Sequence, residues 1–510
     1  MVGCFYKKIT KMKKSALILL ILATALNTGL SQNADDALRF SQIFYNGTAR
    51  FNSMGGAFTA LGGDISSLNQ NPAGLGVFRS SEISVSPQLY NFRSKTNFNG
   101  SYNSNYLYNF NLGQAGIVLN LVNNQSSSGL ITLNFGYSYS LTNNFEETIK
   151  IDGKSEGSSI LDFWKEKIDG IVDTTLVDDM NVADAYLAWY TYLLDPLQGT
   201  NNTYGTVYTN YGRYSADYGK NITRLITNTG YSGEHAFALA SNFSNKLFIG
   251  ASLGITRVEY ESKLEHSEKS DSVLASGFRD FNYSYYYRNW GTGYSLKLGF
   301  IYKPIDPLRI GFSFQSPTLF RISEYLNDNI VSHIDGRENT TQENQASWFK
   351  YSLTTPFRAT LGLAYQVKKF GVISAEYEFV DYGMARFATV GDDDYEGYPQ
   401  KNNEIQNTLK SAGNIRVGAE ARLNRLYFRG GYGHYGRAYK TGDINENLSY
   451  NSYSGGIGFR DQNISVDFGF TRMSNTLNYI LYSTEDESPV SSNSLDRNIF
   501  TVTFGYKFGI

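Results

Sequence analysis

The sequence predicts an all-β protein, a transmembrane antiparallel β-barrel of about fourteen strands. Apolar and polar residues alternate with a period of two residues from about residue 82 to the C-terminus. The connections between these segments are alternately short and long along the chain. After residue 31, no apolar run reaches the ~20 residues that a membrane-spanning helix requires.

The strands are predicted from the alternation itself. Ile464, Val466, Phe468 and Phe470, for example, are separated by polar or small residues. This period is typical of a strand with two different faces. The predicted strands are 82–93, 113–122, 130–140, 234–243, 246–260, 288–303, 307–316, 355–367, 370–382, 413–423, 425–435, 451–460, 463–473 and 496–508.

The connections favour a membrane barrel over a soluble sheet. The short ones are 244–245, 304–306, 368–369, 424 and 461–462, and the long ones are 141–233, 261–287, 317–354, 383–412, 436–450 and 474–495. This pattern indicates tight periplasmic turns and long external loops, with both ends of the mature chain on the periplasmic side of the outer membrane. A solvated outer face of a soluble sheet is the alternative for the polar positions.

Composition agrees with this fold class. Aromatic residues make up 15% of the chain, with 40 Tyr and 33 Phe, and would supply the interfacial girdles of a barrel. Charged residues such as Arg416 would point into the lumen, because a charge facing lipid at mid-bilayer costs about 2–4 kcal/mol. The net charge of -2 offers no basic field for a nucleic-acid partner.

Residues 1–31 have the pattern of a secretory signal peptide. A lysine-rich stretch precedes a short apolar core at 16–26, and Gly29 and Ser31 are the small residues of a cleavage site. We expect cleavage near the bond between Ser31 and Gln32. The alternative, a membrane-anchor helix, is disfavoured because the apolar core is shorter than the ~20 residues a span needs.

Residues 32–81 are predicted to form a compact plug in the lumen of the barrel, which takes up residues 82–510. The segment has a short helical pattern, two Gly-Gly pairs and the sequence Asn71-Pro72-Ala73. It is too interrupted for a strand and precedes the first one, so the lumen is its natural place.

The long loop 141–233 is predicted to carry two amphipathic helices. Ser159 and Asp162 have the spacing of a capping box at the start of the first helix. The apolar faces either pack on each other as a lid or form a groove over the pore mouth. The candidate residues for a hydrophobic ligand groove are Trp164, Ile168, Trp189, Leu193 and Leu194.

Four stretches carry a resemblance to a known family. They are residues 50–60 followed by Asn71-Pro72-Ala73-Gly74-Leu75, Phe314-Gln315-Ser316-Pro317, residues 360–365 with 374–377, and residues 416–420 with 426–432. In this order they resemble the FadL/TodX-type outer-membrane transporters of long-chain fatty acids and aromatic hydrocarbons. The Asn-Pro-Ala sequence is the most specific of these matches.

The resemblance implies passive uptake of small hydrophobic molecules through a plugged barrel of fourteen strands. Asn71, Pro72 and Ala73 would position the plug, although an ordinary Asn-Pro turn remains open as an alternative. A plug movement would then release the ligand sideways through a gap at a kink in the third strand, for which Gly129 and Gly136 are candidates. We expect a monomer in contact with outer-membrane lipid and lipopolysaccharide.

The sequence offers little for other chemistry. Its four histidines, His235, His266, His333 and His434, lack metal-ligand spacing, and the acidic run 392–394 lacks the Gly and distal Glu of a calcium loop. We therefore expect no cofactor, no metal, no catalytic residues and no enzyme activity. A scaffold barrel for protein export or surface attachment is the alternative function, and a hydrolase with a Ser/His pair on the external rim is a third.

Overall fold

The computed structural model describes residues 32–509, except 126–127, 156, 173–174, 177–181, 211–212, 215–218, 272–273, 275, 338–339 and 392–396. The predicted signal peptide and the acidic run 392–394 therefore lie outside the described residues.

The described chain forms a closed antiparallel barrel of fourteen strands, and the predicted fold class is confirmed. The strands are β1 Ser81–Phe98, β2 Ser101–Asn123, β3 Leu130–Asn144 with Glu147–Ser155, β4 Lys220–Phe243, β5 Leu247–Ser270, β6 Phe278–Ile305, β7 Leu308–Gln315 with Leu319–Ile334, β8 Thr340–Glu343 with Ser347–Thr354 and Arg358–Val367, β9 Gly371–Asp381 with Arg386–Thr389, β10 Ser411–Leu423, β11 Leu426–Tyr435, β12 Tyr450–Asp461, β13 Ile464–Ile480 and β14 Val490–Phe508. Each strand pairs with the next along the chain, and β14 closes the barrel on β1 from Ser81 opposite Phe508 to Asn97 opposite Ser492.

The helices lie before β1 and in the long connections. They are α1 Ala34–Ser41, α2 Ala49–Ser53, α3 Ile160–Ile168, α4 Ala183–Tyr190 and α5 Tyr398–Thr408, with 3-10 helices at Ile65–Asn69, Pro72–Val77 and Tyr382–Met384. Two small antiparallel pairs, Leu194–Pro196 with Tyr204–Thr206 and Thr209–Asn210 with Arg213–Tyr214, complete the elements.

The tight turns that follow the even-numbered strands β4, β8, β10 and β12 lie at one end of the barrel, and the turn of Asn99 and Gly100 between β1 and β2 lies at the other. In the turns after the even-numbered strands, Ser244, Asn245, Lys368, Asn424 and Gln462 have positive φ angles. Most of these residues are Asn or another short polar residue, which tolerates the left-handed conformation better than a branched side chain. The predicted short connections are therefore confirmed as turns.

The strands extend further toward the other end than the sequence indicates. β5 and β6 remain paired up to Lys269 opposite Asp280, inside the segment predicted as the loop 261–287. The predicted loop 141–233 likewise contains paired strand, because Glu147–Ser155 pairs with β4. Both faces of these extensions carry polar residues, so they lack the alternation that predicts strands.

The two faces of the wall differ as a membrane barrel requires. Leu361, Leu363 and Tyr365 of β8 point outward and are each about half exposed, whereas Thr360 and Ala364 point inward and are buried. The outer face is therefore apolar, and the polar side chains of the spanning strands face the interior.

The N-terminal segment, defined here as residues 32–80, runs through this interior and touches the wall at inward-facing glycines. A Cβ atom on Gly431 of β11 would lie 2.2 Å from the backbone nitrogen of Gly55, and one on Gly418 of β10 would lie 2.3 Å from the carbonyl oxygen of Met54. Real Cβ atoms do not approach so closely, so these positions accept the segment only because they lack a side chain.

Gly430 and Gly431 allow a matched test of this contact, because a Cβ on Gly430 meets nothing within 4 Å. We expect Gly431→Val to destabilise the protein by about 1–3 kcal/mol through overpacking, and Gly430→Val to stay within about 0.5 kcal/mol of the parent. Thermal unfolding in detergent measures both. Equal effects of the two substitutions would contradict the placement of the N-terminal segment.

Candidate functional site

The Asn71-Pro72-Ala73 turn of the N-terminal segment is pressed against β5 and β6. Asn71 is fully buried; its Oδ1 accepts a hydrogen bond from the Ala73 backbone nitrogen at 3.1 Å, and its Nδ2 donates to the Thr59 carbonyl at 2.6 Å. The first bond caps the 3-10 helix Pro72–Val77, and the second joins two parts of the segment. In addition to the local cap of an Asn-Pro turn, Asn71 thus makes a hydrogen bond to a residue 12 positions away.

Wall glycines make room for this turn as well. A Cβ on Gly299 of β6 would lie 1.9 Å from Asn71 Oδ1, and one on Gly250 of β5 would lie 2.5 Å from the Pro72 carbonyl carbon. Ala73 is buried against Phe248 and Ile301 from the same two strands. The turn therefore has a closely fitting position on the wall.

A buried network of charges links the N-terminal segment to β9 and β10. Glu376 accepts hydrogen bonds from the Thr59 backbone nitrogen at 2.9 Å and from Gln70 Nε2 at 2.6 Å, and it pairs with Arg416. Arg416 also reaches Glu378, at 3.2 Å. The segment is thus bonded directly to an inward-facing carboxylate of the wall.

A second chain of charges continues around the wall. Arg50 of α2 contacts Glu420 at 2.8 Å, Glu420 accepts from Arg429 at 2.7 Å, and Arg429 reaches Asp467 at 2.6 Å. All four side chains are buried. Buried charges are tolerated when each is paired and hydrogen-bonded, so these residues serve to hold the segment in place.

On the opposite side, Asn69 bonds to β4 and β6. Its Nδ2 donates to Glu234 Oε1 at 2.9 Å, and its carbonyl oxygen accepts from Lys297 Nζ at 2.7 Å. Glu234 and Lys297 form an ion pair with each other. The N-terminal segment is therefore held from both sides of the barrel.

Above the segment lies a cavity of about 1400 Å³. Its floor includes Tyr45, Asn46 and Gly56 of the N-terminal segment. Its walls are mostly aromatic and aliphatic; they include Leu38, Phe44, Tyr90, Leu141, Phe145, Ile160, Phe163, Trp164, Ile226, Tyr260, Leu264, Tyr283, Tyr285, Tyr287, Tyr439, Tyr450, Met473, Leu477, Tyr479, Leu495 and Ile499. Such a concave, largely apolar space is the usual form of a small-molecule site.

Charged groups also border the cavity, and several are paired. Arg497 of β14 contacts Glu147 of β3 at 3.0 Å. Burial raises the pKa of Glu404 on α5 and of Asp443 in the connection between β11 and β12. Burial thus opposes the ionisation of both carboxyl groups.

The predicted groove residues belong mainly to the interior of the loop that covers the cavity. The capping box of Ser159 and Asp162 is present, which confirms the start of α3. Ile168, Leu193 and Leu194 are fully buried in an apolar cluster with wall residues such as Phe281.

Of the five predicted residues, Trp164 alone borders the cavity, and Trp189 packs on the cluster from outside it. This packing is that of a lid rather than an open groove. Ligand binding by these residues stays a prediction.

Lateral release at a kink marked by Gly129 or Gly136 stays a prediction. Gly136 is regularly paired with Val118 on one side and Ala238 on the other, and a Cβ there would lie 2.6 Å from Leu68 Cδ2. It makes room for the N-terminal segment rather than bending the strand. Gly129, with φ +76°, belongs to the connection before β3.

β3 separates from β2 nearer the end of the barrel that carries the long connections. Pairing of β2 with β3 ends at Gln114 opposite Ser140, and from Ser101 to Leu112 β2 pairs with β1 alone. β3 stays with β4 through a register shift between Leu141 and Asn143. Leu141 borders the cavity, so the interior reaches the wall where the two strands separate.

Comparison with known proteins identifies the fold. A FadL homologue of Pseudomonas aeruginosa superposes with a TM-score of 0.56 over 92% of this chain and 100% of its own, at 11% identity. The toluene transporter TodX of Pseudomonas putida gives a TM-score of 0.52 over 92% of this chain and 100% of its own, at 12% identity. The chain has the FadL/TodX barrel fold. No family model matches it, and no curated protein matches its sequence.

No group of three or more His, Cys, Asp or Glu residues is arranged to hold a metal ion within the described part of the chain. None of the helices described is both long and apolar enough to cross a membrane. His266, the most buried histidine, lies against Arg224 and Glu268, which gives it a structural role.

The sequence did not predict which charged residues hold the N-terminal segment against the wall. Arg416 was expected to point inward, but the partners of such charges were not identifiable, since Arg50 and Glu420, for example, are 370 positions apart. An inward-facing charge in each of several strands was the available signal. It indicates a polar interior without saying which charges pair.

Asn71 provides a test of whether its turn holds the N-terminal segment in place. Asn71→Ala removes the cap and the bond to Thr59, and we expect a loss of about 1–2 kcal/mol in unfolding free energy and a raised ion conductance in planar bilayers. Asn71→Asp keeps the capping acceptor but places an unpaired buried carboxylate against the Thr59 carbonyl, so it should destabilise at least as much as Asn71→Ala. Unchanged conductance in Asn71→Ala would show that the turn does not hold the segment.

Proposed function

We propose that this protein is an outer-membrane channel for the passive uptake of small hydrophobic molecules. The observation that carries the proposal is the 1400 Å³ cavity, mainly aromatic and aliphatic, enclosed within a FadL/TodX-type barrel. Removal of apolar surface from water contributes about 25 cal/mol per Å², so the cavity favours a hydrophobic solute over water. The neighbours' names, a FadL homologue and a toluene transporter, agree with a transport role rather than an enzymatic one.

In this proposal the tight turns after the even-numbered strands face the periplasm and the extended strands face the outside. The half-exposed aromatic and aliphatic residues of the outer face would contact lipid, and the protein would act as a monomer. The cavity then lies toward the external side of the N-terminal segment, where an incoming molecule meets it first.

The N-terminal segment would act as the plug. Its bonds to Glu376, Glu420 and Glu234 hold it across the interior. These contacts are polar, and the glycine contacts fix where the segment fits. A limited shift of the segment would connect the cavity with the periplasmic half of the barrel.

Lateral release would use the place where β2 and β3 part. Leu141 borders the cavity there, and the outward face of the β2 edge carries Tyr108, Phe110 and Leu112, all of them exposed. An apolar molecule leaving at this point would pass from one apolar surface to another. That route avoids exposure to a water-filled pore.

Uptake through the cavity can be blocked at a chosen position. Ser262 borders the cavity, and the next residue, Lys263, is exposed on the other face of β5. Because Cys4 is the only cysteine and lies in the predicted signal peptide, a single cysteine can be labelled selectively.

We expect a bulky maleimide on Ser262→Cys to abolish uptake of a fluorescent fatty acid and of an aromatic hydrocarbon by proteoliposomes, and the same label on Lys263→Cys to leave it unchanged. Uptake equal to that of empty liposomes by the unlabelled protein, across a broad ligand panel, would refute the transport function.

Leu141 tests the lateral route. We expect Leu141→Lys to slow uptake at least about tenfold, because desolvating a charge beside the passage costs more than the 1.4 kcal/mol that a tenfold effect needs. Leu141→Ala should not slow it. Ligand affinity, measured by tryptophan quenching, should change little in either variant. Normal uptake by Leu141→Lys would favour an axial exit.

A further inference from the structure

Gln32, the first residue described, lies in a buried pocket formed by acidic side chains. Its backbone nitrogen donates to Asp36 Oδ2 at 3.1 Å, and its Nε2 donates to Glu324 Oε1 at 3.2 Å. Gln32, Asp36 and Glu324 are all buried, with 6%, 4% and 0% of their surfaces exposed. The start of the N-terminal segment is thus held between carboxylates of α1 and of β7.

The two carboxylates have too few donors and too little positive charge around them. The Tyr287 hydroxyl lies 3.1 Å from Asp36 Oδ2 and 3.2 Å from Glu324 Oε2, and its single proton can serve only one of them. Arg39 pairs with Asp36. The hydrogen-bond partners described for Glu324, Gln32 and Tyr287, are both neutral.

The nearest further cation does not fill this deficit. Lys401 of α5 is buried, and its Nζ has no hydrogen-bond partner among the described residues. Burial lowers the pKa of Lys401, which weakens it as a counter-charge. Burial raises the pKa of Glu324 to about 8, and a further positive group at Gln32 would stabilise its charged form.

Signal-peptide cleavage would create such a group at that position. Hydrolysis of the bond between Ser31 and Gln32, expected from the sequence, replaces the amide nitrogen of Gln32 with an α-ammonium carrying three N–H donors. It also removes a strained torsion, because Gln32 has φ +78°, and a chain's first residue has no preceding carbonyl to clash with.

We propose that the pocket of Asp36, Glu324 and Tyr287 is a binding site for the chain's own mature N-terminus, the free α-ammonium of Gln32. Processing thereby anchors α1, whose residues Leu38 and Arg39 border the cavity. This inference depends on the cleavage position and not on the transport function, so either can fail without the other.

The alternative fate of an N-terminal glutamine is cyclisation. Attack of the α-amine on the side-chain carbonyl forms a neutral lactam and releases ammonia. The lactam has neither the positive charge nor the Nε2 donor that contacts Glu324, so it satisfies the pocket less well. The structure therefore favours the open form.

The first experiment is intact mass and N-terminal sequencing of the full-length protein purified from outer membranes. We expect a chain that begins at Gln32 with a free amine. A different first residue, or a mass lower by one ammonia, would overturn the proposal.

The second experiment compares Glu324→Gln with Asp328→Asn. Asp328 lies on the same face of β7, is also buried, and bonds to Asn344 and Tyr283 instead of Gln32. Neighbouring carboxylates raise the pKa of an α-amine from its usual value of about 8, and each unit leaves tenfold less reactive neutral amine. We expect acylation of the N-terminus at neutral pH to be about tenfold faster in Glu324→Gln and unchanged in Asp328→Asn.

A third variant separates the ammonium from general stability. Two residues inserted after the cleavage site leave Gln32 as an internal amide. We expect this extension to lower the melting temperature about as much as Glu324→Gln does, and the combination to add little more, because both changes remove the same interaction. Additive effects, or a labelling rate that Glu324→Gln leaves unchanged, would contradict the proposal.

Discussion

A chain segment can lie inside this barrel only where the wall leaves it space, and the structure depends on that constraint. Inward-facing glycines of β5, β6, β10 and β11 stand where the backbone of the N-terminal segment passes, at distances that no Cβ atom would tolerate. These positions fix the path of the segment, the location of the Asn71 turn and the floor of the cavity. The cavity above is what remains of the interior once the segment is in place.

The charges around the segment add specificity to this fit. Removing one partner of a buried ion pair costs about 3–5 kcal/mol because the other charge is left uncompensated. Glu376, Glu420 and Glu234 each bond to the segment and to a wall cation at the same time. A segment in the wrong register would leave several of these groups unpaired, so the polar contacts select one position among those the glycines permit.

The sequence predicted the wall well and the interior poorly, for physical reasons. All fourteen predicted strands correspond in order to β1–β14, because the lipid-facing side of each spanning strand must be apolar. The extensions of β5 and β6 beyond the apolar part of the wall were missed because exposed side chains there, such as Lys263 and Glu265, are charged. The contact of Gly136 with Leu68 was not predicted, since a glycine that bends a strand and one that admits a neighbouring segment look identical in a sequence.

The parting of β2 and β3 was likewise hidden from the sequence. It lies at Leu141, where the strand pattern of β3 is still apolar and gives no sign that one partner is lost. The contact between Arg50 and Glu420 was hidden for the same reason, since pairs formed across the barrel depend on closure and not on local pattern.

The most direct test of this account is a crystal structure of the purified protein soaked with a bromine-labelled aromatic hydrocarbon. The account predicts anomalous density in the cavity beside Tyr260, Tyr285 and Trp164, above an N-terminal segment still bonded to Glu376. Density absent from the cavity at saturating ligand, or an N-terminal segment found outside the barrel, would contradict it.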